Sequence, residues 1–249
     1  MSKNQKILLA IVYIISLGLI FLAIFKYFDF TRISDYSYIK YKAETTLSFR
    51  NDHYIFFVLL FVIFSIIWIL LLGFASPLAL VSGFIFGKYF GTLISVLSFT
   101  VGCTLLYILA RLYFRDLVIK YLSKKIHKFK TLFNKNELLY FMLFRFAGGG
   151  GVPFAIQNLI PVIFDMKKKN YFYSTLYGLV PTVFILNSLG AGIEKIIRTS
   201  SKPNFFDVIL DPNIYLPILG FLIVLIVSFF IKNKFFIIAK ICTLSFKYL

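Results

Sequence analysis

Acidic residues are scarce in this chain. Its 249 residues include 10 Asp plus Glu, and charged residues of both signs make up 15%, where a soluble domain carries roughly 25%. All ten acids (Asp29, Asp35, Glu44, Asp52, Asp116, Glu137, Asp165, Glu194, Asp207 and Asp211) flank apolar runs, and none lies well inside one. The two histidines, His53 and His127, fall in polar connecting stretches, which leaves no histidine for acid–base work within the membrane. No HExxH, Walker A or GxGxxG pattern occurs. The two cysteines, Cys103 and Cys242, sit in or beside apolar runs with the character of packing residues; no disulfide framework or metal-ligand spacing is visible. These absences argue against enzymatic chemistry, and neither a cofactor nor a metal is expected.

Apolar residues are plentiful, at 60%, with 32 Phe and 16 Tyr. The runs Ile7–Phe25, Tyr54–Leu72, Tyr171–Leu189 and Ile214–Ile231 each approach the roughly 20 residues needed to cross a bilayer. Ile7–Phe25 lacks a following small-residue cleavage site, so it is expected to be a retained helix rather than a signal peptide. Two other runs have awkward lengths: 74–110 is too long for one pass, and 138–164 is broken in its middle. The composition therefore points to an all-α polytopic membrane protein.

The formal net charge of +17 would suggest nucleic acid in a soluble protein. In a membrane protein it fits basic loops facing anionic headgroups, so the expected partners are membrane lipids, anionic ones in particular, and not nucleic acid. Residues 111–136 carry eight bases against Asp116 alone, and the tail after Ile231 carries four bases and no acid. Both belong inside by the positive-inside rule. The balanced stretches 26–53 and 190–212, with five bases to four acids and three to three, are expected outside as loops, leaving both termini cytoplasmic. Val118, Leu122, Ile126, Phe129 and Phe133 recur at helical spacing, which fits an interfacial helix on the inner leaflet as well as an ordinary basic loop.

Parity then sets the awkward runs. Residues 74–88 form a short arm before a full helix near 91–110, and 138–164 enters and leaves on one side as a re-entrant hairpin. Non-helical backbone at that depth must be buried in protein or line a wet cavity, and paired interrupted segments in two halves point to a transporter-type site.

The second break reads "FRFAGGGGVPFAIQNLIPVIF", residues 144–164. Arg145 at mid-membrane costs about 2.5–3.5 kcal/mol on insertion scales, which suits a cavity-facing site residue; the alternative is a side chain snorkelling to the interface. Gly148, Gly149, Gly150 and Gly151 free backbone N–H groups that could meet an anion, or simply let the hairpin turn. Pro153 starts the second arm, and Gln157 and Asn158 supply amides that serve either a site or helix-to-helix contacts. In Tyr171–Leu189, Gly178 and Pro181 suggest a kink, for packing or for transport.

The elements "SPLALVSGFIFGKYFG", "FMLFRF", "VPFAIQN" and "YGLVPTVF" together resemble the DedA/VTT superfamily, the SNARE-associated Golgi protein group, and in particular its Tvp-like bacterial inner-membrane branch. The resemblance covers about residues 54–192. It rests on Gly83, Phe86, Gly87 and Gly91, on Arg111, on Phe141 with Arg145, on Pro153, Phe154 and Asn158, and on Gly178 with Pro181. Pro77 belongs to the first broken arm. The resemblance implies two opposed re-entrant hairpins and lipid movement across a bacterial inner membrane, as a flippase or scramblase of lipid or a lipid-linked anion such as a polyprenyl phosphate. The resemblance also implies proton-dependent membrane homeostasis, but "FASPLALVSG" lacks the hairpin carboxylate of better-studied transporters, which leaves proton coupling open here.

The expected organisation is an N-terminal helix and outside loop (1–53), the DedA-like membrane domain (54–192), and a C-terminal helix with a basic tail (193–249). The expected site is Arg145, Gly148–Gly151, Pro153 and Asn158, meeting a phosphate. The rival expectation is a non-transporting scaffold or assembly factor whose breaks serve packing.

Overall fold

A computed structural model describes residues 35–71, 73–113, 115–116, 136–146, 149, 152–199 and 210–230, together with Gly18 and Lys26. The expected helix Ile7–Phe25 apart from Gly18, residues 117–135 of the expected interfacial stretch 111–136, and the basic tail lie outside the described residues. Eight helices are described: α1 (Tyr36–Asp52), α2 (Tyr54–Leu70), α3 (Ala75–Phe86), α4 (Lys88–Tyr113), α5 (Glu137–Phe146), α6 (Phe154–Ile163), α7 (Lys168–Thr199) and α8 (Pro212–Phe230). By length and apolarity α4 and α7 are able to cross a membrane. The pair α1 and α2, bent by 108°, counts as a further broken span if taken together.

Both expected breaks are present. The chain leaves α3 at Gly87, whose φ of +80° is open to glycine at little steric cost, and enters α4 at the next residue. The twelve residues of α3 span about 18 Å, well short of the roughly 30 Å hydrocarbon core. In the second half α5 and α6, ten residues each, span about 15 Å apiece. Their outer ends meet. Glu137, at the start of α5, accepts hydrogen bonds from the Lys167 N–H at 3.2 Å and from Asn170 Nδ2 at 2.5 Å, just after α6. The segment thus folds back on itself as a hairpin.

Two elements differ from expectation. The stretch 26–53 is not wholly loop: α1 forms over 36–52, capped by Asp35, whose carboxylate accepts from the Ser37 N–H at 2.9 Å. The expected span Tyr171–Leu189 extends to Lys168–Thr199. Pro181 lies within this helix.

Long α7 is the common support, packing against α3, α4, α5 and α8. Against α3 the approach is backbone to backbone: a Cβ on Gly83 would lie 2.0 Å from Asn187 O, and one on Gly190 would lie 2.1 Å from Leu80 O. Ser82 on α3 donates to the Gly91 carbonyl on α4 at 3.0 Å, and a Cβ on Gly91 would meet Asn187 Oδ1 at 2.5 Å. The glycines of the first motif thus build one close-packed joint. Pro77 sits exposed in the first turn of α3, where its missing N–H has no intrahelical partner to lose.

Candidate functional site

Arg145 lies eight residues along α5, about 12 Å from the base of the hairpin. Its side chain is 1% exposed, so it does not snorkel. Gly178 of α7 admits it: a Cβ there would lie 2.5 Å from Arg145 Cβ and 2.8 Å from Met142 O. The guanidinium rests between two aromatic rings, 5.0 Å from the Phe141 centroid and 5.2 Å from that of Phe154. Such contacts contribute about 0.5–2 kcal/mol each.

Its hydrogen-bond partners are neutral. Nη1 donates to Gln157 Oε1 at 3.2 Å, and Nη2 donates to Asn158 Oδ1 and, at 3.1 Å, to the Tyr171 hydroxyl. Tyr171 in turn donates to Asn158 Oδ1 at 3.2 Å. Among the described residues no carboxylate pairs with Arg145. Two buried donors are left without a partner, Arg145 Nε and Asn158 Nδ2. Nε–H lies on the same edge of a guanidinium as one Nη2–H, the edge that grips an oxyanion in a paired contact. The described site therefore has positive charge and more donors than acceptors.

The surroundings hold this arrangement in place. Gly149, with φ +73°, lies beneath the Gln157 amide, since a Cβ there would meet Gln157 Nε2 at 2.0 Å. Gln157 Nε2 donates to Val152 O at 2.7 Å, across the turn. On α4, Tyr107 stacks on Tyr171 with centroids 4.5 Å apart, and the buried Cys103 thiol interacts with Arg145, Asn158 and Tyr171.

Nearer the hairpin base, Asp165 adopts φ +52° and pairs with Arg111 at 3.5 Å and Arg115 at 2.6 Å. Its carboxylate holds the Arg115 guanidinium above its usual pKa, through the hydrogen bond first and the charge second. Arg111 and Tyr107 both donate to Met166 O. This cluster clamps the turn between α6 and α7 against the end of α4.

Of the expected site residues, the structure unites Arg145 and Asn158 directly and brings Gly149 in through Gln157. Pro153 caps α6 and is exposed. Gly148, Gly150 and Gly151 lie outside the described residues. Of the motif residues, Arg111 joins the clamp, Gly178 seats Arg145, and Gly83, Gly87 and Gly91 shape the opposite joint. Sequence reasoning missed Tyr171, which lies 26 residues from Arg145 and carries no local signal. It treated Cys103 as packing alone, and Phe141 and Phe154 only as motif positions.

A family model, the VTT domain, matches residues 75–192. The uncharacterized protein YqeD of Bacillus subtilis (strain 168) is 27% identical over 120 residues, covering 47% of this chain and 57% of that protein. The match thus spans little more than half the length of this relative. No solved structure matches.

Proposed function

Residues 75–192 of this integral membrane protein are a VTT domain, and on that premise we propose that it moves a lipid or lipid-linked anion across the membrane, with Arg145 meeting the phosphate. One observation carries the reading: a fully buried guanidinium has aromatic faces and neutral amides around it, no acid among the described residues, and an unpartnered Nε. A buried structural arginine is normally matched by an opposite charge. Here the counter-charge is left for a ligand. We place the protein in a bacterial inner membrane on the family resemblance, with both termini inside on the loop charges.

A second reading has its own support. Nη1 and Nη2 tie α5 to α6 and α7, as a scaffold would require. The two readings part on substitution. Protein reconstituted in vesicles should lose labelled-lipid translocation roughly 10- to 100-fold on Arg145→Gln, the equivalent of one charge-assisted hydrogen bond of about 1.5–3 kcal/mol. Arg145→Lys keeps the charge without the fork and should retain partial activity. Equal losses of thermal stability in both variants, with translocation unchanged in whatever remains folded, would make Arg145 structural.

A further inference from the structure

Among the described residues, the site offers one positive charge and no other. Cys103 and Tyr107 face it from α4, and Tyr171 faces it from α7. Thiols and phenols, with ordinary pKa values of about 8.5 and 10, are neutral near pH 7. Neither α6 nor α3 contains an ionisable side chain, and residues 147–151 are alanine and glycine. The nearest described acids are engaged elsewhere: Glu137 receives the Lys167 N–H and Asn170, and Asp165 pairs with Arg111 and Arg115. On α7, Lys168 and Lys169 lie exposed at its start, and Tyr173 and Tyr177 are exposed.

Resting on the reading that Arg145 meets a phosphate, we propose that the site carries one negative charge at a time, so that a phosphomonoester crosses only after binding a proton of its own. A phosphodiester bears a single charge, and with the guanidinium it forms a neutral pair that can be buried. A monoester above its second pKa of about 6 bears nearly two, and the second would be a buried charge without a partner. Protonation removes it. The proton joins a phosphate oxygen from water on one face and returns to water on the other, one proton per monoester, with no bond to carbon changed.

The donor pattern agrees with this. Arg145 Nε and Asn158 Nδ2 are free to hold the charged oxygen, while the amide oxygens of Gln157 and Asn158, now turned to the guanidinium, can accept from a P–OH. Translocation of a monoester would thus respond to a pH gradient although no described carboxylate lines the site, because the titrating group belongs to the cargo.

The test compares two tail-labelled probes in vesicles holding the full chain, phosphatidic acid as monoester and phosphatidylglycerol as diester. Initial rates are taken at matched internal and external pH. Between about pH 5 and about pH 8 the monoester rate should fall roughly a hundredfold, tracking its singly charged fraction, while the diester rate changes by less than about twofold. A pH difference across the vesicle should drive net movement of the monoester alone. A shared pH profile would place the titration in the protein, and a flat monoester profile would show that both charges enter; either overturns the proposal while leaving translocation standing. If neither probe moves faster than in vesicles holding Arg145→Gln, the phosphate-site reading fails and this one with it. As a measurement independent of flux, a short-chain soluble monoester should raise the melting temperature of the detergent-solubilised protein at low pH only, and the matching diester at both pH values. Equal stabilisation by the monoester at both would also count against it.

Discussion

Where α3 crosses α7, two glycines bring backbone against backbone: Gly83 against Asn187, and Gly190 against Leu80 and Phe84. Where α5 crosses the same helix, twelve residues earlier, Gly178 makes the same kind of room and a guanidinium occupies it. The first joint has no charge in α3 and contacts built from small residues; the second holds a cation with donors unmet. Both halves break a helix with glycine, so the break alone does not mark a binding site. The distinguishing mark is a buried charge whose bonding capacity the fold leaves open. At the first joint Asn187 Oδ1 is also without a partner, but no charge accompanies it.

Substitutions can sharpen this contrast. The largest effect is expected at the packed joint. Gly190→Ala places a Cβ 2.1 Å from Leu80 O and 2.8 Å from Phe84 N, and backbone cannot step aside without parting the helices. A loss of about 3 kcal/mol is expected, read as a lowered melting temperature in detergent with little folded protein recovered. Gly220→Ala, with nothing within 4 Å, should instead leave the protein as stable or slightly more so. Comparable losses at both positions would remove the packed joint from the argument.

At the charged joint the effect should be smaller in stability and larger in activity. Tyr171→Phe deletes one hydroxyl that accepts from Arg145 and donates to Asn158. A loss of about 1.5–3 kcal/mol is expected, with translocation falling more steeply than the folded fraction. A double-mutant cycle with Asn158→Leu measures whether the three side chains act as a unit; additive losses would show that they do not. The smallest effect is expected at the clamp. Asp165→Asn tolerates the left-handed backbone and removes a partly exposed pair of ion bridges, costing about 1 kcal/mol or less. Whatever difference appears should shrink as salt is raised.

Much of this contrast was legible in the chain. The glycines and the single proline of 148–153 marked the turn between α5 and α6, and counting acids left Arg145 with few possible counter-ions. The neutral partners were harder to find. Tyr171 reaches Arg145 only because the turn at 164–167 folds α7 back beside α4, a tertiary fact with no trace in local spacing. Helix α1 was hidden by its polarity: hydropathy and charge balance read a loop, although Asp35 was a ready N-cap. The far end of α7 was hidden in the same way, since Glu194 and Arg198 look like loop residues until their 3.2 Å pairing at i and i+4 is seen.

Cys103 gives the buried arrangement an internal stopwatch. A thiol with no exposed surface can react with a mercurial only while α4, α5 and α7 stand apart, so its modification rate is the reagent's intrinsic rate multiplied by the fraction of time the gap is open. With Cys242 replaced by serine, Cys103 is the single thiol left to count. Its half-life under a fixed dose of reagent then reports how often the unliganded protein breathes at Arg145, and any lipid that lodges against the guanidinium and holds the helices closed should lengthen that half-life in proportion to how tightly it is held.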